Sequence, residues 1–311
     1  MGGPAPRRLP AGLRQTLSFL AILLLLCALW EGYKLLGAAT GNKIPFTAGV
    51  AYQLCILSTG PCSYADINLP IRSDDKSMPH IANILGALFR PAQRGNDTIL
   101  LAILLRSAWF TWREAAAGFL AGSLVGFALG ALFGRSTLLE RGLMPYVVAS
   151  QTVPLLAIAP MIVIWGSRLE WPAWMSVAII SAYLTFFPVT INTLRGLRSP
   201  HPTAVELMRS YAASEWQILF KLRIPAALPY IFTALKVSAS ASVIGALIGE
   251  LPSGIGDGLG RALLTFSYYY VSGPEKLFAA IIVTALVGIG FVLLVMFAER
   301  RVIPPQRRLA E

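Results

Sequence analysis

Two helix-start signals follow each other in the stretch RGLRSPHPTAVELMRSYAASEWQILFKLRIP, residues 195–225. Thr203 with Glu206 has the spacing of a capping box, in which a hydroxyl and a carboxylate each satisfy a backbone N–H, and Ser214 with Gln217 repeats it. Ala204, Leu207, Met208 and Tyr211 recur at i, i+3, i+4, i+7 and share one face of the first helix, with Glu206, Arg209 and Ser210 turned elsewhere. A short two-faced helix at a membrane surface serves either to dock a partner or to lie in the lipid headgroups. Both readings fit these residues.

The remaining chemistry is sparse. Cys55 and Cys62 bracket the loop CILSTGPC. A disulfide there suits an oxidising compartment, and two free thiols fit equally. Cys27 lies inside an apolar run and packs. The two histidines, His80 and His201, fall on opposite expected sides of a membrane, so no metal site is assembled. GALFGRST, residues 130–137, is one residue short of a phosphate loop and lacks its lysine; GxSxG and HExxH are absent. No catalytic set and no metal or cofactor site is expected in this chain. If it drives a solute uphill, the energy comes from a gradient or from a partner.

The elements that would position these residues are membrane spans. The chain has 311 residues, 56% hydrophobic and only 13% charged, against about 25% charged in soluble domains. The apolar runs are long and unalternating, as helical spans require and barrel strands do not. The expected fold is all-α, with about six transmembrane helices near Leu17–Leu36, Glu114–Phe133, Met144–Trp165, Pro172–Leu194, Ala227–Gly249 and Leu277–Phe297. The first run follows Arg7, Arg8 and Arg14. Trp30, Glu31, Tyr33 and Lys34 stand where a signal peptidase would need small residues, so an uncleaved span is expected.

The net charge of +11 gathers in short loops rather than in a soluble domain with base-stacking aromatics, so no nucleic-acid partner is expected. Arginines and lysines before the first span, between the second and third, between the fourth and fifth, and after the sixth share one side if the spans alternate. That places both termini and the 195–225 loop in the cytoplasm. The expected organisation is therefore 1–36 as cytoplasmic terminus and first helix, and 37–113 as an extracytoplasmic segment. A five-helix core at 114–298 and a cytoplasmic tail at 299–311 complete it. Ile81, Ile84, Leu85 and Leu88, with Pro79 before them, mark a short surface helix within the second part.

Inside the spans, Gln151, Thr152, Asn192, Ser238, Ser240 and Ser242 are candidates for a translocation pathway, with Glu250 at the outer end of the fifth span in a wet site. Serines also commonly bond to their own helix. Lys236 is expected to snorkel to the cytoplasmic interface. Gly118, Gly122, Gly126, Gly130 and Gly134 form a groove along one helix face, read as internal packing in preference to a dimer seam.

The stretch Glu206-Leu-Met-x-x-x-Ala212, nine residues, then Leu222-Arg223-Ile224-Pro225 resembles the EAA loop of ABC importer permeases. Leu207 and Met208 replace its alanines and Ala212 its glycine. Alanine at positive φ costs on the order of 1 kcal/mol, so the turn is expected to be reshaped or shifted toward Ala213. SQTVPLLAIAPMIVIWGS, FFPVTINTLRGL, Lys236 and Glu250 are similar to the nitrate/sulfonate/taurine branch. GELPSGIGDGLG resembles members of that branch assigned to riboflavin or the thiamine pyrimidine, and residues 40–68 look like an insertion.

The resemblance implies the permease subunit of an ATP-driven importer for a small polar solute, in the bacterial inner membrane. A second permease subunit would complete the pore as a homodimer. Cytoplasmic ABC ATPase subunits would hold ATP and Mg, and an extracytoplasmic binding protein would deliver substrate. Thr203, Glu206, Leu207, Met208, Arg209, Tyr211, Ala212 and Pro225 would form the ATPase-coupling element. The competing reading is a gradient-driven carrier or channel, which requires intramembrane acids or paired inverted repeats. Few buried acids and no repeat are evident in the sequence.

Overall fold

The structure is a computed structural model that describes residues 11–39, 43–45, 68–70, 75–92 and 97–303. Cys55 and Cys62 lie outside the described residues. The helices are α1 (Ala11–Ala39), α2 (Ile81–Ala87), α3 (Leu100–Arg135), α4 (Thr137–Ser150), α5 (Leu155–Arg168), α6 (Ala173–Leu197), α7 (Pro202–Ser210), α8 (Glu215–Ile218), α9 (Ile224–Glu250), α10 (Leu259–Tyr268) and α11 (Pro274–Val302). A two-stranded antiparallel ladder, β1 (Lys43–Pro45) with β2 (Asn68–Pro70), is the one departure from helix among the named elements. The fold is that of an all-α membrane protein.

The chain divides into two compact units. The first holds α1, residues up to Arg90, and Tyr269–Phe278. Here α1 holds the short helix α2 by its start. Glu31 accepts from the Ile81 N–H at 2.9 Å and contacts His80 Nδ1 at 2.9 Å, so a carboxylate on α1 satisfies an orphan donor of α2. Lys34 bonds Asp75, holding that carboxyl below its usual range. The Trp30 indole donates to Pro79 O, and the Tyr270 hydroxyl to Ser77 O. Ile84 of α2 is buried while Leu85 stays half exposed.

The second unit is built on a glycine seam. A Cβ added at Gly118 would collide with Ser181 Cβ. One at Gly122 would sit 2.5 Å from Ala182 O, at Gly126 2.5 Å from Phe186 O, and at Gly130 2.6 Å from Thr193 Cβ. The α3 backbone therefore lies directly on α6, and the stripe is internal packing. The partners climb together in sequence, so α3 and α6 run parallel. On its other side α6 meets α9 antiparallel: Ser181 Oγ donates to Ser242 O at 2.8 Å and Ser238 Oγ to Thr185 O at 3.2 Å. Ala115, Val177, Ala239, Val243, Ala246, Phe291 and Val295 bring α11 into the same core.

Parallel α3 and α6 require a net crossing between them, and the third span supplies it in two pieces. Instead of a straight Met144–Trp165 helix, α4 and α5 meet at a 96° bend. Pro154 has no N–H, so the Ser150 carbonyl loses its helical donor. The Tyr183 hydroxyl of α6 bonds that carbonyl, which otherwise keeps a 3.4 Å turn bond from the Val153 N–H. The α4 start is tied to the C-terminal end of α6 by Arg198 Nη1 to Glu140 Oε1 at 2.8 Å. The α5 end reaches the N-terminal end of α6, where a Cβ at Gly166 would collide with Ser176 Oγ. Among the described residues five helices are long and apolar enough to span, and the bent pair makes six.

Two boundaries differ from expectation. Helix α3 begins at Leu100, not Glu114, because the apolar run LLAILL continues the helix through Arg106 and Arg113. At 1.5 Å per residue it is about 54 Å long, well beyond the ~30 Å hydrocarbon layer. Its Trp109 and Trp112 stack at 5.5 Å in the expected interfacial zone. The polar 195–225 loop ends at Ser214; from Glu215 to Glu250 the chain is one helical run with a π turn at Leu219–Arg223.

Gly126→Leu is expected to lower the stability of the extracted protein by about 1–3 kcal/mol or block assembly, since the side chain would enter the Phe186 carbonyl. Gly142→Ala, with nothing within 4 Å, should leave the thermal midpoint unchanged or slightly raised. Equal midpoints for both variants would remove the seam as the organising contact.

Candidate functional site

At the basic end of the second unit, α7 starts two residues earlier than the sequence signal indicates. Pro202 occupies its first turn, so His201 becomes the N-cap and its ring nitrogen accepts from the Thr203 N–H at 3.4 Å. Thr203 is inside the helix and contacts His201 Nδ1 at 2.8 Å. The Thr203–Glu206 capping box is therefore absent, and Glu206 is exposed with no hydrogen bond among the described residues. The Ser214–Gln217 box is present at α8.

The apolar face is also divided. Ala204 and Met208 turn partly inward with Val205, whereas Leu207 is 58% and Tyr211 80% exposed. Arg209 pairs with Glu215 at 3.0 Å across the turn. That turn keeps glycine geometry without a glycine. Ala212 has φ 55°, and the Ala213 N–H bonds Met208 O at 3.0 Å while the Ala212 N–H bonds Arg209 O at 2.9 Å. These two bonds form a Schellman motif. The turn is neither reshaped nor moved to Ala213; the motif's bonds offset a strain of about 1 kcal/mol. Pro225 lies at the start of α9, just after the π turn that accommodates its missing N–H. Trp216 and Phe220 stack at 5.9 Å, and the Arg135 guanidinium lies 5.6 Å over the Trp216 ring, fixing α8 to the end of α3.

The polar intramembrane residues separate into two groups. Gln151 and Thr152 are exposed at the bend between α4 and α5, and Ser240 is exposed on α9. Irregular backbone at membrane depth is tolerated where it is buried in protein or faces water. Asn192 is half buried and donates to Pro188 O of its own helix at 2.9 Å. Ser238 and Ser242 are fully buried, the first hydroxyl spent on the α6–α9 seam and the second on Ala239 O of its own helix at 2.9 Å, so they line no open path. Lys236 does not snorkel freely but pairs with Glu299 of α11 at 3.1 Å.

Glu250 is fully buried rather than in a wet site. It accepts from Thr111 Oγ1 at 2.6 Å and from the Gly260 N–H at 2.5 Å, while the Leu259 N–H donates to Thr111 Oγ1 at 2.8 Å. Gly258, at φ 127°, lets the chain pass close to the carboxylate, since a Cβ there would lie 2.5 Å from its Cδ. Glu114, 1% exposed, is buried beside this group, and among the described residues neither of its oxygens has a hydrogen-bond partner. Sequence reasoning misses this acid, because the charged Arg113–Glu114 step reads as the end of a span. Both oxygens of Glu250 are engaged in holding the start of α10, a positioning task. Among the described residues no three metal-ligating side chains converge.

Comparison with known proteins bears on this arrangement. Residues 118–304 match the model of the family described as binding-protein-dependent transport system inner membrane component. The formylaminopyrimidine transport permease protein ThiX of Halalkalibacterium halodurans is 36% identical over 53% of this chain and 64% of its own length. The riboflavin transport system permease protein RibX of Chloroflexus aurantiacus is 32% identical over 52% of this chain and 58% of its own. The chain thus spans less than two thirds of either relative. A structure of the MetNI methionine ABC transporter in inward-facing conformations aligns at TM-score 0.56 and 16% identity, covering 65% of this chain and 95% of that one, a likeness of fold.

Thr111→Val would remove the hydroxyl that joins Glu250 to Leu259. The expected result is a loss of about 1–3 kcal/mol and faster amide hydrogen exchange at Leu259 and Gly260. Exchange as slow as in the wild type would show that α10 is held by something other than this hook.

Proposed function

The chain belongs to the family of binding-protein-dependent transport system inner membrane components, and we propose that it is the membrane-spanning permease subunit of an ATP-driven importer. The observation that carries this reading is α7: an exposed helix with an uncapped Glu206 and outward Leu207 and Tyr211, held on a rigid turn. A carboxylate that does not cap its own helix is free for a partner. In this reading α7 seats in a cytoplasmic ABC ATPase subunit that binds ATP and Mg, and this chain itself catalyses nothing. A second copy completes the pore, and an extracytoplasmic binding protein presents the solute. Both termini face the cytoplasm, on the side of Arg135, Arg198 and Arg301.

Closure of the ATPase dimer displaces α7 as a rigid body and switches the pore between inward and outward access. Gln151, Thr152 and Ser240 line the path, because they are the candidate polar groups left exposed once the helix seams have consumed the others. Neutral hydroxyl and amide groups suit a small polar solute that must pass rather than bind tightly. The relatives named for formylaminopyrimidine and riboflavin support a vitamin-precursor substrate within that class.

Glu206→Lys, or a charge at Leu207 or Met208, is expected to abolish co-purification of the ATPase while membrane insertion stays normal. Undiminished co-purification would sink the docking role. Ser240→Asp or Gln151→Glu should leave the assembly intact and cut solute uptake into cells or vesicles by tenfold or more, about 1.4 kcal/mol in the barrier. Wild-type uptake in both variants would take these residues out of the path.

A further inference from the structure

We propose that the cavity walled by Arg135, Arg209 and Arg223 at the basic end of the bundle binds a phosphate group. The cavity has a volume of about 410 Å³ and draws Arg135 from the end of α3, Leu197 from the end of α6, Arg209 from α7, and Glu215 and Arg223 from the α8–α9 run. A neighbouring cavity of about 530 Å³ shares Arg209 and Arg223 and adds Arg198 and Glu206. The assignment is independent of which solute the protein moves.

The charges in the first cavity do not balance. Glu215 is committed to Arg209 at 3.0 Å. Among the described residues Arg135 faces only the Trp216 ring, and Arg223 has no ion pair. Two guanidinium groups thus remain uncompensated in one concavity, where low-dielectric walls concentrate their field. The negative end of a helix dipole accounts for Arg135, in the last turn of α3. It does not account for Arg223, which lies within the continuous run from Glu215 to Glu250.

The geometry selects among anions. A carboxylate accepts in one plane and is satisfied by a single guanidinium fork, as Glu140 is by Arg198. Arginines from three elements converge here from different directions, which suits the tetrahedral oxygens of phosphate. The site lies where the spans end on their basic side, the level at which the charge pattern places phospholipid headgroups. The phosphate comes either from an anionic phospholipid or from a soluble phosphate. Because Arg209 sits on α7, occupancy links the docking helix to the ends of α3 and α6 and stiffens that joint.

The test uses the full-length chain with its co-purifying partners in nanodiscs. Native mass spectrometry would count retained phosphatidylglycerol against phosphatidylcholine, and phosphorus NMR line broadening would report inorganic phosphate. Retention of phosphatidylglycerol that millimolar phosphate does not displace identifies the lipid source; binding of phosphate without lipid identifies the soluble one. Either should weaken about tenfold or more in Arg223→Gln, recover in part in Arg223→Lys, and stay unchanged in Arg195→Gln, outside the cavity. Equal binding by wild type and Arg223→Gln would overturn the proposal, as would failure of both probes with an acidic ATPase side chain cross-linking to position 223. Should Arg223→Gln not assemble, wild-type retention that ignores ionic strength would overturn it as well.

Discussion

The contact of the α3 backbone with α6 is the constraint from which the rest of the second unit follows. In a bilayer no hydrophobic force draws helices together, because lipid tails are as apolar as leucine side chains. Association then depends on close packing and on hydrogen bonds that cross between helices. The glycines from 118 to 130 let α3 lie against carbonyls and short side chains of α6 without a gap. The register fixes the two helices as parallel, so the chain between them must cross the membrane once. It also aligns their C-terminal ends, placing Arg135 and Leu197 in one cavity with Arg209 of α7. The bent third span and the basic platform are both products of that register.

Polar groups near the seam are used for assembly. Ser181, Ser238 and Thr185 stitch α6 to α9, and Glu250 with Thr111 anchors the start of α10. An unmatched polar group in hydrocarbon costs several kcal/mol, so each such contact also penalises alternative packings. The groups left exposed are those at the bend and on the free face of α9. Helix seams therefore decide which polar groups stay exposed, and the bend exposes Gln151 and Thr152 where a straight helix would have continued.

The sequence makes the spans legible because length and hydropathy are strong signals over twenty residues. It makes the glycine stripe legible because glycine at a period of four strips one helix face of side chains, and only a closely packed neighbour makes a bare face favourable. It does not reveal the bend: Pro145, Pro160, Pro188 and Pro229 all sit inside unbroken helices, and Pro154 differs by having Tyr183 opposite to bond the freed carbonyl. The Thr203–Glu206 signal misleads because Pro202 starts the helix first and leaves His201 as the cap. Ala212 misleads in the other direction, since a Schellman motif holds it in a conformation that propensity assigns to glycine. Ser238 and Ser240 are two residues apart with identical chemistry, and only packing separates the seam residue from the exposed one.

The long run from Glu215 to Glu250 gives α7 a direct mechanical connection to the opposite side. One end is fixed to α7 through Arg209 and Glu215, and the other holds Thr111 and the start of α10 through Glu250. Between them lies a single helical run, about 54 Å at 1.5 Å per residue, interrupted by the π turn at Leu219–Arg223. A rod packed antiparallel on α6 over its length is poorly able to slide, since Gly245 and Gly249 seat against Ser181, Val177 and Ile180. It can tilt about that seam. Motion of α7 toward the bundle would then move the Glu250 end in the opposite sense, carrying the Gly258–Gly260 turn with it. Alternating access in this reading needs no relay of loops. It needs one helix, a pivot on α6, and a polar hook firm enough to transmit the movement.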